Sequence, residues 1–378
     1  MSSRRSQRSQ RGAWSAVVTC ALLVACSKAP EPAAPIGNGP AVQRAPAPGA
    51  PATDPYVESL RAQVGAQLTL DAKLQAAAGA AVRAIPTPAA VVALEPDTGV
   101  VRAVYSVPGE RGDPLTTPHV PASTFKVFTA LAALEGGTIT PATERTCNGV
   151  FPFAGKELRC FATHGVETVV PAVTRSCNGF FYQVATEMDH RALLELARRY
   201  GFGERTGIEL ADAPGTVETA ARAEGIHADP DSTVPLLDAI GHGEIEVTLL
   251  QLARAFAVFA NGGKLVRLTL TGSGSVEHAV DISPANLALI RGALFTVVDA
   301  PDGTAHDVAI PGLPFAGKTG SADAPPVNGK PALDDRWFVA YTPLSGAKLL
   351  VAARVEHAEG VHDAKHVVRA VLDASRAP

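Results

Sequence analysis

Ser123-Thr124-Phe125-Lys126 is the stretch from which this 378-residue chain is best interpreted. The Ser-x-x-Lys spacing places a hydroxyl and an amine on one face of a helix, within contact distance of each other. An amine held there can take the proton of the serine hydroxyl and make it a nucleophile. We expect the helix to run from Pro121 to Leu134, because proline suits a first helical turn and Gly136-Gly137 supplies a stop.

The face that carries Ser123 and Lys126 is otherwise apolar. It also contains Val127, Ala130 and Leu131, which predicts that it is turned toward the core. Lys126 is therefore expected to be partly desolvated, which lowers the pKa of its amine and suits it as a base. The N–H of Ser123 falls in the first turn, where it has no helical partner and where the helix dipole favours an anion.

Ser176-Cys177-Asn178 is the first of two companion motifs later in the chain. The hydroxyl of Ser176 both donates and accepts, so it can pass a proton to a leaving nitrogen. The amide of Asn178 can orient Lys126 or a substrate carbonyl. Taken alone, a Ser-x-Asn stretch is usually a turn or a helix cap.

Lys318-Thr319-Gly320 is the second companion, in a segment that predicts a strand facing the nucleophile. Lys318 would add positive potential, Thr319 would bind a substrate carboxylate, and Gly320 would let the substrate backbone approach closely. The N–H groups of Ser321 and Ser123 would form an oxyanion hole. The order and spacing of the three motifs favour a single site for acyl transfer at a serine.

Together these motifs resemble the transpeptidase domain of class B penicillin-binding proteins, over about residues 68–375. Further stretches share the likeness, among them 241–253, Gly303-Thr304-Ala305 and 336–343. The loop with Cys147, Cys160 and His164 resembles that of elongation-type members. The resemblance implies an α/β (α+β) penicillin-binding and β-lactamase-like fold, with an antiparallel sheet flanked by helices and a mostly helical subdomain. It also implies D,D-transpeptidation of peptidoglycan stem peptides that end in D-Ala-D-Ala, and acylation by β-lactams.

The apolar pattern independently predicts one sheet completed by both ends of the chain. A helical run at 69–84, with Asp71 as its cap, precedes a β-hairpin whose strands flank Asp97-Thr98-Gly99. The middle of the chain has helical periodicity and the end returns to β-rich segments. The predicted helices are 181–200, 249–260, 286–298 and 362–374, and the later strands are 315–320, 336–341 and 348–355.

The N-terminal region is expected to lie outside the folded domain. Residues 1–25 have a basic start and an apolar run too short to span a bilayer, which predicts a signal peptide. Leu23-Val24-Ala25-Cys26 resembles a bacterial lipobox, which predicts a lipid on Cys26, although an ordinary signal peptide beside a cysteine is the alternative. Residues 26–55 predict a disordered Pro/Ala-rich tether. We expect a linker helix at 56–90 and the transpeptidase domain at 91–378.

These features predict a protein anchored by lipid on the periplasmic side of the cell envelope. Ser27 follows the lipidated cysteine, where aspartate would favour the inner membrane, so the outer membrane is preferred. The formal net charge of −4 gives no basic face for a nucleic-acid partner. The sequence predicts no cofactor and names no protein partner.

Cys147 and Cys160 lie 13 positions apart, and a disulfide between them is favoured over two reduced thiols in an oxidising periplasm. Cys177 is expected to stay free. No Cys/His group has the spacing of a zinc motif, so no metal site is predicted.

Three other functions stay open at this point. A class D-like β-lactamase shares the Ser-x-x-Lys motif, but those enzymes carry Ser-x-Val where this chain has Ser176-Cys177-Asn178. A D,D-carboxypeptidase differs only in using water as the acceptor. A non-catalytic lipoprotein that binds peptidoglycan or β-lactams is the third alternative, which the intact Ser123 and Lys126 pair disfavours.

Overall fold

A computed structural model of the protein describes residues 54–219, 222, 224–226, 229–323 and 334–376. The predicted signal peptide at 1–25, the lipidation site Cys26 and all but the last two residues of the 26–55 tether lie outside the described residues. Within the described part of the chain, no helix combines the length and the apolar character needed to cross a membrane.

A five-stranded antiparallel sheet forms the centre of the fold, in the order β2-β1-β11-β10-β9. β1 pairs with β11, so the two ends of the chain meet in one sheet, as predicted. Every residue of β1 and β11 is buried, which requires cover on both faces of the sheet. The strands are β1 (Ala89–Leu94), β2 (Val101–Val107), β9 (Ala316–Asp323), β10 (Asp334–Thr342) and β11 (Leu349–Val355).

Helices cover this sheet and fill the middle of the chain, as the periodicity predicted. α2, α8 and α10 pack against the strands. Numbered over the described residues, the α-helices are α1 (Pro55–Val64), α2 (Ala72–Arg83), α3 (Lys126–Glu135), α4 (Val169–Thr174), α5 (Asn178–Glu187), α6 (His190–Arg199), α7 (Val234–Ala239), α8 (Leu249–Asn261), α9 (Pro284–Asp299) and α10 (Ala364–Ala374).

Three predicted helices need correction, the first two of them at 56–90 and 181–200. The 56–90 linker helix is instead two helices followed by the start of β1, and α2 packs against β2 and α10 as part of the domain. The predicted helix 181–200 is divided into α5 and α6. The division follows from Asp189, whose carboxylate accepts the N–H of Arg191 and starts a new helix.

The helix predicted from Pro121 to Leu134 is also divided. A short 3₁₀ turn, Ala122–Phe125, carries Ser123, and α3 begins at Lys126. Pro121 lies just before this turn and not within it. A 3₁₀ turn at a helix start keeps residues three apart on nearly the same side, so Ser123 and Lys126 remain adjacent.

Three two-stranded ribbons complete the described structure. Two of them lie between α3 and α4 in the chain, before Ser176. The pairs are β3 (Arg145–Cys147) with β6 (Gly165–Glu167), β4 (Val150–Phe153) with β5 (Lys156–Arg159), and β7 (Lys264–Arg267) with β8 (Ser275–Ala279).

Candidate active site

Ser123 and Lys126 lie in direct contact. Nζ of Lys126 is 2.9 Å from Oγ of Ser123, and the lysine side chain is fully buried. Burial lowers the pKa of Lys126 to about 8, because an ammonium in the core loses its hydration. An amine at this distance with this pKa is suited to accept the serine proton near neutral pH.

The segment before α5 surrounds the same amine. Nζ of Lys126 also contacts the carbonyl oxygen of Ser176 at 2.6 Å, Oγ of Ser176 at 3.3 Å and Oδ1 of Asn178. With Oγ of Ser123, four oxygen atoms therefore contact Nζ of Lys126 and fix its position. Asn178 orients Lys126, which is one of the two roles predicted for it.

Lys318 approaches from the edge strand β9. Its Nζ lies 2.9 Å from Oγ of Ser176, so the hydroxyl of Ser176 stands between two amines. Burial, and then the charge of Lys126, lower the pKa of Lys318 well below its ordinary value. The positive potential expected of Lys318 is thus weakened in the free site, and an anionic ligand would restore it.

Two non-glycine residues at this site have left-handed backbone conformations. Ala122, which precedes Ser123, has a φ of 52°, and Ser176 has a φ of 57°. Such conformations are unfavourable for residues with a Cβ and persist only where the surrounding structure enforces them. The strain lies at the two points where the chain turns the hydroxyls of Ser123 and Ser176 toward Lys126.

Gly320 lies where β9 packs against the turn that carries Ser123. A Cβ at this position would lie 3.0 Å from Cγ2 of Thr124, 3.1 Å from the carbonyl oxygen of Pro121 and 3.3 Å from Cβ of Ala122. The group that needs the space is therefore the protein's own Ser123 turn. Gly320 lets β9 pack directly against the nucleophile.

The hydroxyls of Thr319 and Ser321 on β9 have protein partners. Oγ1 of Thr319 lies 2.7 Å from Oγ1 of Thr304, and Nη1 of Arg336 donates to Oγ of Ser321 at 2.6 Å. Thr304 belongs to the Gly303-Thr304-Ala305 stretch, which sequence reasoning singled out without assigning it a function. The Thr319 and Thr304 hydroxyls both line the cleft described next.

The site opens into a cleft of about 1140 Å³. Ser123, Ser176, Asn178, Thr319 and Ser321 reach it, whereas Lys126 and Lys318 lie buried behind them. Arg159, Phe161 and Trp337 also line the cleft, and none of the three was predicted as a site residue. The arrangement can accept an extended substrate and carry out acyl transfer at Ser123.

Cys147 and Cys160 are free thiols in this structure, so the predicted disulfide between them is not formed here. Cys177 is free, as expected. The three sulfurs and a ring nitrogen of His164 all lie within 4.8 Å of one another. Nδ1 of His164 is 3.6 Å from Sγ of Cys147 and 3.5 Å from Sγ of Cys160. The spacing of these residues did not predict that they lie together, which makes them a candidate metal site.

This cysteine–histidine quartet (Cys147, Cys160, His164 and Cys177) has the donor chemistry of a structural zinc site, in which four protein ligands fill a tetrahedron. Hydrogen bonds from the Cys177 thiol and from backbone N–H groups hold the pKa of the Cys160 thiol below its usual range, whereas the contact with Cys160 and burial raise the pKa of the Cys177 thiol. The N–H of Asn178 donates to Sγ of Cys160 at 3.1 Å. A metal here would stabilise the start of α5, next to the catalytic groups.

Glu167 is a further residue that sequence reasoning missed. Its side chain is fully buried, and Oε1 lies 2.9 Å from Nε of Arg175. Its negative charge raises the pKa of Lys126 and partly opposes the effect of burial. A buried glutamate has no signature in the local sequence, because its relation to Lys126 arises only from the fold.

Comparison with known proteins identifies the family of this chain. The sequence model for the penicillin binding protein transpeptidase domain matches residues 89–373. The chain therefore belongs to the penicillin-binding protein transpeptidase family. The expected resemblance to class B members of elongation type is confirmed by relatives of the MrdA and PBP2 kind.

Individual relatives are distant in sequence. Peptidoglycan D,D-transpeptidase MrdA of Haemophilus influenzae is 29% identical over 289 residues, which are 68% of this chain and 44% of that protein. Peptidoglycan D,D-transpeptidase PbpA of Mycobacterium tuberculosis is 29% identical over 342 residues, covering 77% of this chain and 67% of that one. The chain thus matches less than half of the Haemophilus protein's length.

Solved structures confirm the predicted fold. Pseudomonas aeruginosa PBP2, in complex with WCK 5153, has a TM-score of 0.72 and 25% identity, covering 82% of this chain and 78% of that one. The transpeptidase domain of a peptidoglycan glycosyltransferase from Eggerthella lenta has a TM-score of 0.69 and 24% identity, covering 82% of each chain. The antiparallel sheet with flanking helices is therefore the family's fold.

Proposed function

We propose that the protein is a D,D-transpeptidase that cross-links peptidoglycan stem peptides through an acyl-enzyme on Ser123. The observation that carries the proposal is the contact of Lys126 Nζ with Ser123 Oγ, at 2.9 Å, in a buried site shared with Ser176. The names of the relatives support the same reaction.

In the acylation step, neutral Lys126 takes the proton of Ser123 while the serine oxygen bonds to the carbonyl carbon of the penultimate D-Ala. The carbonyl oxygen gains the negative charge, and the N–H groups of Ser123 and Ser321 stabilise it. The C–N bond then breaks. The leaving D-Ala nitrogen receives a proton through the hydroxyl of Ser176, which contacts Lys126.

The terminal carboxylate of the donor peptide would bind near Lys318 and Thr319. An anion next to Lys318 raises the pKa of that amine, so binding of the substrate restores the charge that burial opposes. Thr319 would donate its hydroxyl to the same carboxylate. The side-chain clamp thus acts most strongly when the substrate is present.

In the second step an amine of a neighbouring stem peptide attacks the ester carbon and releases Ser123. Water in place of that amine gives a D,D-carboxypeptidase. A β-lactam would acylate Ser123 in the same way, since its amide is cleaved without a departing fragment. The open cleft lined by Phe161 and Trp337 has room for a second peptide, which supports the transpeptidase over the carboxypeptidase.

Labelling with a fluorescent penicillin tests the acyl-enzyme. The parent chain should retain the label after denaturation and Ser123→Ala should not. Ser345→Ala, in an exposed turn, is the matched control and should label fully. Full labelling of Ser123→Ala would contradict the assignment.

The reaction itself is tested with a D-Ala-D-Ala stem peptide and a second stem peptide as acceptor, followed by mass spectrometry. A cross-linked product supports the transpeptidase, and loss of one D-Ala alone supports the carboxypeptidase. Rapid turnover of a chromogenic cephalosporin would support the β-lactamase alternative. No labelling and no turnover would support a purely binding lipoprotein.

We further propose that the protein is lipid-anchored on the periplasmic side of the cell envelope, with the outer membrane favoured. The support is the lipobox-like Leu23-Val24-Ala25-Cys26 stretch, which lies outside the described residues. Incorporation of labelled palmitate by the parent, and its loss in Cys26→Ala, tests the anchor. Membrane fractionation then distinguishes the outer from the inner membrane.

A further inference from the structure

His242 bridges two backbone carbonyls at the edge of the cleft. Its Nε2 lies 2.9 Å from the carbonyl oxygen of Ser321 on β9, and its Nδ1 lies 3.0 Å from that of Ile240. Carbonyl oxygens only accept hydrogen bonds, and a neutral imidazole has a single N–H. Both contacts are satisfied together only by the doubly protonated ring.

The residues before His242 are hydrogen-bonded to the 3₁₀ turn Ala122–Phe125, which carries Ser123 and is called the nucleophile turn here. The N–H of Ala122 donates to the carbonyl oxygen of Gly241 at 2.8 Å. A Cβ on Gly241 would lie 2.0 Å from the carbonyl oxygen of Ala122, so only glycine permits this approach. Oγ1 of Thr129 on α3 also donates to the carbonyl oxygen of Ala239, at 2.8 Å. This segment therefore moves with Ser123.

The other end of the bridge fixes the edge strand. Among the described strands, β9 pairs with β10 alone, so the Ser321 carbonyl, whose oxygen meets His242, is expected to point to the free edge of β9. In an antiparallel strand the N–H and C=O of one residue point to the same side. The N–H of Ser321 therefore faces the free edge as well, where the Ser123 turn packs against β9.

We propose that His242 is a positioning residue that sets the distance between the two N–H groups of the oxyanion hole, those of Ser123 and Ser321. One side of the bridge is fixed to the nucleophile turn through Gly241, and the imidazole fixes the other side to β9. This inference rests on the proposed function, because it assumes that both N–H groups stabilise an oxyanion during acylation.

Stopped-flow acylation by a penicillin tests the inference, with the affinity before acylation and the acylation rate constant measured separately. His242→Ala should lower the rate constant about 10- to 100-fold, because a displaced oxyanion donor loses most of its effect. The affinity before acylation should change less than about twofold, since ground-state contacts remain. His242→Gln should recover much of the rate, because its amide N–H can still donate to the Ser321 carbonyl.

His278→Ala is the matched control, since Nε2 of that exposed histidine also meets a carbonyl, that of Arg199, at 3.3 Å. It should acylate at the parent rate. A rate constant for His242→Ala within about twofold of the parent would overturn the inference. So would equal losses in His242→Ala and His242→Gln, which would indicate a steric role alone.

If His242→Ala does not fold, the inference is tested by the pH dependence of the acylation rate constant, compared between the parent and His242→Gln. Desolvation lowers the pKa of His242, the charge of Lys126 on α3 lowers it further, and Asp323 on β9 raises it. Rising pH removes one ring proton and leaves one carbonyl without a donor. The ratio of parent to His242→Gln rates should therefore fall as pH rises through the lowered pKa of His242, below its ordinary value of 6.5, and a constant ratio across that interval would overturn the inference.

A parent chain that forms an acyl-enzyme on Ser123 upholds the proposed function whatever the His242 variants do. A parent that is never acylated ends both proposals, whereas a labelled parent with fully active His242 variants ends this one alone.

Discussion

Lys126 Nζ lies 2.9 Å from Ser123 Oγ, and among the described residues it is the one amine with a hydrogen bond to that hydroxyl. Lys126→Ala should therefore lower the acylation rate constant about 10²- to 10⁴-fold, the usual range for loss of a positioned base. Lys126→Arg should not restore it, because a guanidinium stays protonated. Near-parent acylation by Lys126→Ala, measured by penicillin labelling over time, would contradict the role of base.

The buried position of Lys126 also predicts a pH dependence. Because burial lowers the pKa of its amine to about 8, the amine is protonated below that pH and cannot accept the serine proton. The acylation rate constant should rise with pH through this value and level off above it. A rate that falls or stays constant over the same interval would show that another group limits acylation.

Glu167→Gln tests the buried charge that acts on Lys126. The carboxylate raises the pKa of that amine, so its neutral isostere should move the midpoint of the acylation profile to lower pH. Glu157→Gln, an exposed change on β5, is the control and should leave the midpoint in place. A shift to higher pH in Glu167→Gln would contradict the electrostatic argument.

Gly320→Ala tests the packing of β9 on the nucleophile turn. The added Cβ would press on Thr124 and on the backbone of Pro121, and overpacking of this kind destabilises a fold by about 1–3 kcal/mol. We expect a lower melting temperature together with slower acylation. Gly292→Ala, on α9 with nothing within 4 Å of the new Cβ, should instead be neutral or stabilising. Parent-like acylation by Gly320→Ala would show that the strand yields freely.

The sequence was sufficient for features that depend on neighbours along the chain. Ser123 and Lys126 are three residues apart, so a single turn brings them together whether it is 3₁₀ or α-helical. A single sheet completed by both ends of the chain was also predicted, because strongly apolar runs at both ends need a common sheet. The left-handed conformation of Ala122 was not predicted, since alanine has no local preference for it.

Features that depend on tertiary contacts were missed. The packing of Gly320 against Pro121 and Thr124 was not predicted, because those residues lie about two hundred positions earlier in the chain. The cysteine–histidine quartet was missed because only Cys160 and His164 are close in sequence, and one such pair is not a zinc motif. Pairing of Cys147 with Gly165 across β3 and β6 brings that thiol beside His164, and no spacing rule contains this pairing.

The quartet gives a prediction that separates a metal site from a disulfide. We expect about one zinc ion per chain in protein purified without chelators, because three thiols and an imidazole match a closed zinc site. Cys160→Ser should lose zinc and melt at a lower temperature. His278→Ala should keep its zinc and the melting temperature of the parent. Elemental analysis, with melting curves before and after chelation, makes the measurement. A metal-free protein whose non-reduced digest contains a Cys147–Cys160 linked peptide would instead uphold the disulfide, because a sulfur bonded to sulfur is no longer a thiolate ligand.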